Sequence, residues 1–413
     1  MRLRPLCLLA LTAAAALTGA APAQFGEAAG FGEMMSPYFL RRDLQIFQEG
    51  LELDEGQAVI VESLFWDYED DHESGKVRML ERLSEMRENI DQLDRDRILQ
   101  MVFQPFEQRS QEWDQMREQF LSNVRAILSS DQEQRWPDFR RDLRRRKELP
   151  KGRFSGENLN LFEIVREMEL DPRTRRMIDE PLNTYGITLD EALVRRERLL
   201  HDSRLAIMHS IRDENPGQAL DIYEQQITAR MAIRRVNDDY TEVIAAGLPE
   251  DLAATFREKA LAKAYPRVYR PTAAHRLFTE ALKLPDLTTE SRQAVMDLER
   301  SFLGEVAGLN ARLVVLLRDY EPEENRYRAQ SFATRAGGIK PEKPKDPTRA
   351  VFKERDQLGR RYIELLRDLL TPEQFDSLAG SQRFNRRGGA RDPLEQKRQF
   401  MERQGNKFGV SDE

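Results

Sequence analysis

Apolar residues recur along this chain at steps of three and four for most of its length, the period of a helix with one buried stripe. From Val295 they continue at Leu298, Phe302, Val306, Leu309, Leu313, Leu316 and Tyr320. That nearly heptad seam predicts one long helix over Glu290–Tyr320, packed along another helix. Met79, Leu83, Met86, Ile90 and Leu93 repeat the pattern, and Phe106, Trp113, Phe120, Val124 and Ile127 form a third run. Few stretches alternate with period two for long enough to be strands. The expected fold class is all-α, with minor or no β-structure.

The helix starts themselves recur. Leu-Asp-x-x-Gln begins at Leu53, Leu-Asp-Pro at Leu170 and Leu-Thr-Thr-Glu at Leu287, with 117 residues between successive leucines. Eight residues on stand Val61, Ile178 and Val295, and fifteen on stand Tyr68, Tyr185 and Phe302. A second landmark begins at Leu128, Leu248 and Leu370, preceded at eight residues by Phe120, Tyr240 and Tyr362 and at four by Val124, Ile244 and Leu366. Offsets of four, eight and fifteen put these side chains on one helical face. The pattern predicts three tandem helical-hairpin or small-bundle modules at residues 36–148, 157–266 and 272–380. The third carries a loop insertion at 336–348, where Pro341, Pro344 and Pro347 favour extended backbone. Boundaries are expected at the Pro/Gly/Lys tract Glu148–Gly156 and at Tyr265–Pro271, and residues 381–413 read as a basic, flexible tail.

Charge is segregated along the 413 residues. Residues 5–325 hold 43 Lys/Arg against 59 Asp/Glu, a net of −16, whereas residues 326–413 hold 20 against 13, a net of +7. A mainly acidic body argues against nucleic acid as a partner, because phosphate contacts need a positive surface. Residues 1–23 have the parts of a secretory signal: Arg2 and Arg4, an apolar stretch from Leu6 to Leu17, and Ala21-Pro22-Ala23 before Gln24. The only cysteine, Cys7, lies inside that stretch. The mature chain would therefore hold no disulfide and no thiolate-bound metal. No later stretch approaches 18 apolar residues, so no transmembrane insertion is expected. Export without disulfides suits a Gram-negative periplasm, or secretion.

The sharpest short motif is Leu370-Thr371-Pro372-Glu373-Gln374. Thr371 suits the N-cap, Pro372 the first helical position, and Gln374 the return bond of a capping box. Asp54 with Gln57, Ser129 with Gln132 and Thr188 with Glu191 offer the same pairing. The motif starts helices and by itself is no binding site. Leu370–Gln374 also resembles the Leu-Thr-x-x-Gln motif of small periplasmic helical proteins that include the Spy and CpxP envelope-stress chaperones and related heavy-metal-resistance sensors. Asp54 and Gln57 match it more loosely. The resemblance implies an all-α, dimeric, cradle-shaped periplasmic protein that acts on unfolded polypeptide or on envelope sensor kinases. It covers about a tenth of the chain, which is far longer than those proteins and lacks a second strict copy of the motif. Where that family uses a basic concave face, the body here is acidic.

Candidate chemistry is sparse. Of four histidines, His72 stands with Glu69 at the i, i+3 spacing of di-iron bundles, but no second Glu-x-x-His exists. That leaves weak divalent-cation binding or a solvated helix end. His201 and His209 share a helical face with Glu197 and Asp213 one turn to either side, a candidate metal-sensing site. The basic run Arg140–Lys147 fits a helix C-terminus, where cations meet the negative end of the dipole. No cofactor motif is present. The expected function is therefore non-enzymatic: a chaperone-like scaffold that holds polypeptide or an envelope protein partner, with a periplasmic metal sensor as the alternative. The repeated Leu, Phe and Tyr positions would form an extended binding patch if exposed.

Overall fold

The structure is a computed structural model that describes residues 36–89, 95–212, 215–333 and 341–384. The signal-like segment 1–23, the tail beyond Phe384, and the side chains of Leu83, Met86, Ile90, Leu93, Phe106, His209 and Asp213 lie outside the described residues. Among the described residues there are fourteen α-helices, three short 3-10 turns and no strand. In chain order the helices are α1 (Leu44–Leu51), α2 (Glu55–Asn89), α3 (Arg95–Ala126), α4 (Ser130–Glu148), α5 (Leu161–Glu167), α6 (Pro172–Met177) and α7 (Asp179–Arg212). They continue as α8 (Pro216–Ala246), α9 (Glu250–Ala264), α10 (Pro266–Tyr269), α11 (Ala273–Ala281), α12 (Thr289–Ala333), α13 (Thr348–Leu369) and α14 (Pro372–Ser377). The protein is all-α, and no helix among the described residues is long and apolar enough to cross a membrane.

Contacts divide the chain into two units. One holds the described residues of Met1–Tyr265 with those of Asp319–Lys345, the other those of Pro266–Arg318 with Asp346–Glu413. Residues 36–148 and 157–266, set apart by the landmark spacing, thus fall almost wholly in the first unit, and α12 contributes to both. Pro322, inside α12, has no N–H to offer the carbonyl four residues earlier, and the division falls at that turn.

Capping chemistry sets where the helices begin. Ser129 Oγ accepts from the Gln132 N–H while Gln132 Oε1 accepts from the Ser129 N–H at 2.9 Å. Thr371 with Gln374 and Asp54 with Gln57 repeat the box. The glutamines then do more than cap. Gln57 Nε2 donates to the Ile127 carbonyl at 2.9 Å, and Gln132 Nε2 donates to the Glu52 carbonyl at 3.2 Å. The two amides also bond each other at 2.8 Å. Gln374 Nε2 likewise reaches Asp286 Oδ2 at 3.0 Å, next to the landmark at Leu287. Each glutamine therefore ties one helix start to another start 75 or 88 residues away. Thr188 departs from the expectation. Asp171 caps α6 and the chain restarts at Asp179, so Thr188 falls inside α7, where its hydroxyl donates to the Thr184 carbonyl.

Helix α2 packs on α3, α7 on α8, and α11 on α13. The landmark aromatics meet across the long helices. Tyr68 of α2 lies 5.6 Å from Phe120 of α3, Tyr185 of α7 lies 5.6 Å from Tyr240 of α8, and Phe302 of α12 lies 5.3 Å from Tyr362 of α13, all ring to ring. A ring from the preceding segment joins each pair: Phe39, Phe162 and Phe278. Where the first member is a tyrosine, its hydroxyl satisfies that segment's backbone. Tyr68 Oη accepts from the Tyr38 N–H at 2.9 Å, and Tyr185 Oη bonds the Leu161 N–H and the Leu159 carbonyl. Five of the six rings are buried and Tyr240 is half-buried. These side chains are interior, so they do not form an exposed patch.

Candidate functional site

The tract Glu148–Gly156, whose composition suggests a simple linker, covers the most buried charge among the described residues. Glu157 is fully buried and accepts through Oε1 from Arg196 Nη1 at 2.7 Å and Arg230 Nη1 at 3.0 Å. Its Oε2 accepts from the backbone N–H groups of Arg153 and Phe154. Arg196, also fully buried, donates to the Glu148 carbonyl and lies 3.4 Å from the Glu148 carboxylate. Burial alone would raise the Glu148 carboxyl, but Lys151 and Arg196 beside it hold it below the usual range. Asn237 donates to the Gly156 carbonyl and accepts from Tyr185, joining the aromatic pair of α7 and α8 to this cluster. Gly156 has φ +82, with the Arg234 side chain 3.2 Å from where a Cβ would stand, so this turn requires glycine.

A second carboxylate closes the cluster. Glu321 accepts from the Ser155 N–H and hydroxyl and pairs with Arg234 at 3.4 Å. Burial raises its pKa, outweighing those bonds. The arrangement fixes α4, α7 and α8 around the tract.

The side chains of His209 and Asp213 lie outside the described residues, and the structure places the remaining predicted site residues as follows. His72 is buried on α2 rather than at a solvated helix end, and it stacks on Trp113 with ring centroids 4.9 Å apart. Desolvation lowers its pKa to about 4. Glu69 is half-buried one turn away. His201 Nδ1 stands 3.3 Å from Asp114, while Glu197 is taken by Arg117 at 2.7 Å and approached by Arg144 at 3.7 Å. Among the described residues no group of three or more His, Cys, Asp or Glu is placed to hold a metal ion. The basic run ends α4 and is also paired. Arg144 meets Asp190, Arg146 meets Asp142, Lys147 meets Asp43, and Arg140 lies 3.5 Å from Glu118.

The buried histidine has a measurable consequence. Unfolded His72 titrates near 6.5 and folded His72 near 4, so the unfolded state binds more protons between those values. Stability should be insensitive to this group above pH 6.5 and fall by about 3 kcal/mol as pH drops to 4. His275, in the second unit, is also lowered by burial and adds in the same direction. Urea midpoints between pH 7 and 5 should flatten in His72→Phe. An unchanged slope would contradict this assignment.

Apolar side chains do reach solvent, but on the helices' outer faces. Val59 is 67% exposed, with Ile60, Trp66 and Val77 also exposed on α2. Met296, Leu303 and Val315 are exposed on α12, and Leu365 and Leu369 on α13. Two open troughs lie in the units, one along α7 beside Asp190, Val194, Arg198 and Asp202, the other between Leu282 and Met296. Compared with protein families, curated proteins and solved structures, the chain matches none.

Proposed function

We propose that this chain is an exported, non-enzymatic helical scaffold that holds polypeptide, built from three copies of one aromatic-clasped hairpin. The observation that carries the reading is a division of labour among apolar side chains. The landmark rings are spent in the interior, while a separate set on the outer helix faces meets water, including an exposed tryptophan. Side chains so placed have no role in the core of their own unit and favour contact with another chain. The signal-like N-terminus and the Leu370–Gln374 resemblance to periplasmic chaperones agree with that reading. The three aromatic pairs differ from one another only by Tyr for Phe, as copies of one unit would.

Protein beginning at Gln24 should suppress the aggregation of a chemically denatured client, followed by light scattering, at near-equimolar ratio. No suppression at several-fold excess would overturn the polypeptide-holding reading.

A further inference from the structure

The outer face of α2 differs from the other exposed apolar positions in having a sign. Val59, Trp66 and Val77 are seven and eleven residues apart, close to two and three helical turns, so they lie on one line. That line is opposite the buried one formed by Val61, Phe65, Tyr68, His72 and Met79. It is about 27 Å long at the rise of a helix. Carboxylates run along both sides: Glu62, Glu69 and Glu73 on one flank, Asp67 and Asp71 on the other, with Asp70 on the line itself. Residues 55–75 hold seven Asp/Glu and no Lys or Arg.

Little inside the protein answers this charge. Glu73 pairs with Lys76 at 3.0 Å and Glu62 is 4.0 Å from an exposed Arg41. Asp67, Glu69, Asp70 and Asp71 make no ion pair among the described residues. The tryptophan face already takes a cation: the Arg41 guanidinium stands 5.3 Å from its ring centre. An exposed indole between rows of carboxylates combines apolar area with two attractions for the same kind of group.

We propose that the outward face of α2 from Val59 to Val77 docks a cationic polypeptide segment, one that carries Lys or Arg on both sides of apolar side chains. This rests on the polypeptide-holding reading and gives it a place and a partner class. Apolar side chains of the segment cover Val59, Trp66 and Val77, while its cations meet the flanking carboxylates. The charge also steers the approach, which makes the association sensitive to salt.

The test uses the chain from Gln24 and two labelled helical peptides of equal length, one of Lys and Leu and one of Glu and Leu, titrated by fluorescence anisotropy. The Lys/Leu peptide should bind and the Glu/Leu peptide should not. Trp66→Ser, and separately a triple Asp67→Asn, Asp70→Asn, Asp71→Asn variant, should each weaken binding about tenfold, as should raising salt from about 50 to about 500 mM. Both variants should keep the thermal midpoint of the parent, because these side chains lie outside the core. Equal binding of both peptides, or unchanged affinity in both variants, overturns the proposal. So does a parent dimer that Trp66→Ser converts to monomer in sedimentation, because the face would then join two copies of this chain. Failure here is distinguishable from failure of the broader reading: full suppression of client aggregation by Trp66→Ser removes this surface but leaves polypeptide holding intact.

Discussion

Replacing Glu157 with alanine is expected to destabilise the first unit by about 3–5 kcal/mol, the range for breaking a buried ion pair from one side. The side chain is fully buried and its two oxygens accept from four donors, two of them guanidinium groups. Truncation would leave Arg196 without its 2.7 Å carboxylate partner in a site from which water is excluded. Glutamine should rescue little. Whichever way its amide turns, the NH2 group faces donors, either the two guanidiniums or the two backbone N–H groups. Urea denaturation of both variants measures this. A loss under about 1 kcal/mol for Glu157→Ala would show that the cluster is not what fixes α4, α7 and α8 about the tract.

Phe302→Ala should cost the second unit about 3–5 kcal/mol, the range for truncating a fully buried phenylalanine. Its ring is sealed from solvent and meets His275 at 4.8 Å, Tyr362 at 5.3 Å and Phe278 at 5.7 Å, so one truncation removes three ring contacts and opens a cavity. Tyr240→Ala, at the half-buried position of the equivalent Tyr185–Tyr240 pair, should cost the first unit clearly less. Urea unfolding followed through hydrogen exchange reads the second unit in residues 295–317 and the first in residues 222–244. Equal losses at the two sites would contradict the view that burial of the pair sets its weight.

What the sequence made legible follows from how local each signal is. The seam from Val295 to Tyr320 depends only on helical period, and α12 runs through it from Thr289 to Ala333. A capping box is a four-residue device, so Thr371 and Gln374 announce a helix start without knowledge of the rest of the chain. That Gln374 also reaches Asp286, and Gln132 also reaches Glu52, depends on segments 80 or more residues away. The buried cluster was hidden for the same reason. Glu157 and Arg196 are ordinary charged residues in sequence, and Glu148–Gly156 has the composition of a linker. Only packing at separations of 39 to 166 residues makes them interior. His72 misled because its neighbours are acidic. Four of its acidic neighbours, Asp67, Asp70, Asp71 and Glu73, face water, but its own helical position faces Trp113.

Under the proposed function, interior rings hold the hairpins while outward apolar residues meet the client. Hydrogen exchange on the chain from Gln24, with and without a bound unfolded client, separates these two roles. Protection gained on binding should concentrate in residues 55–77, leaving the segments around Tyr185 and Phe302 unchanged. Protection gained instead at those interior segments, with none along 55–77, would show that the interior rings and not the outer face of α2 meet the client.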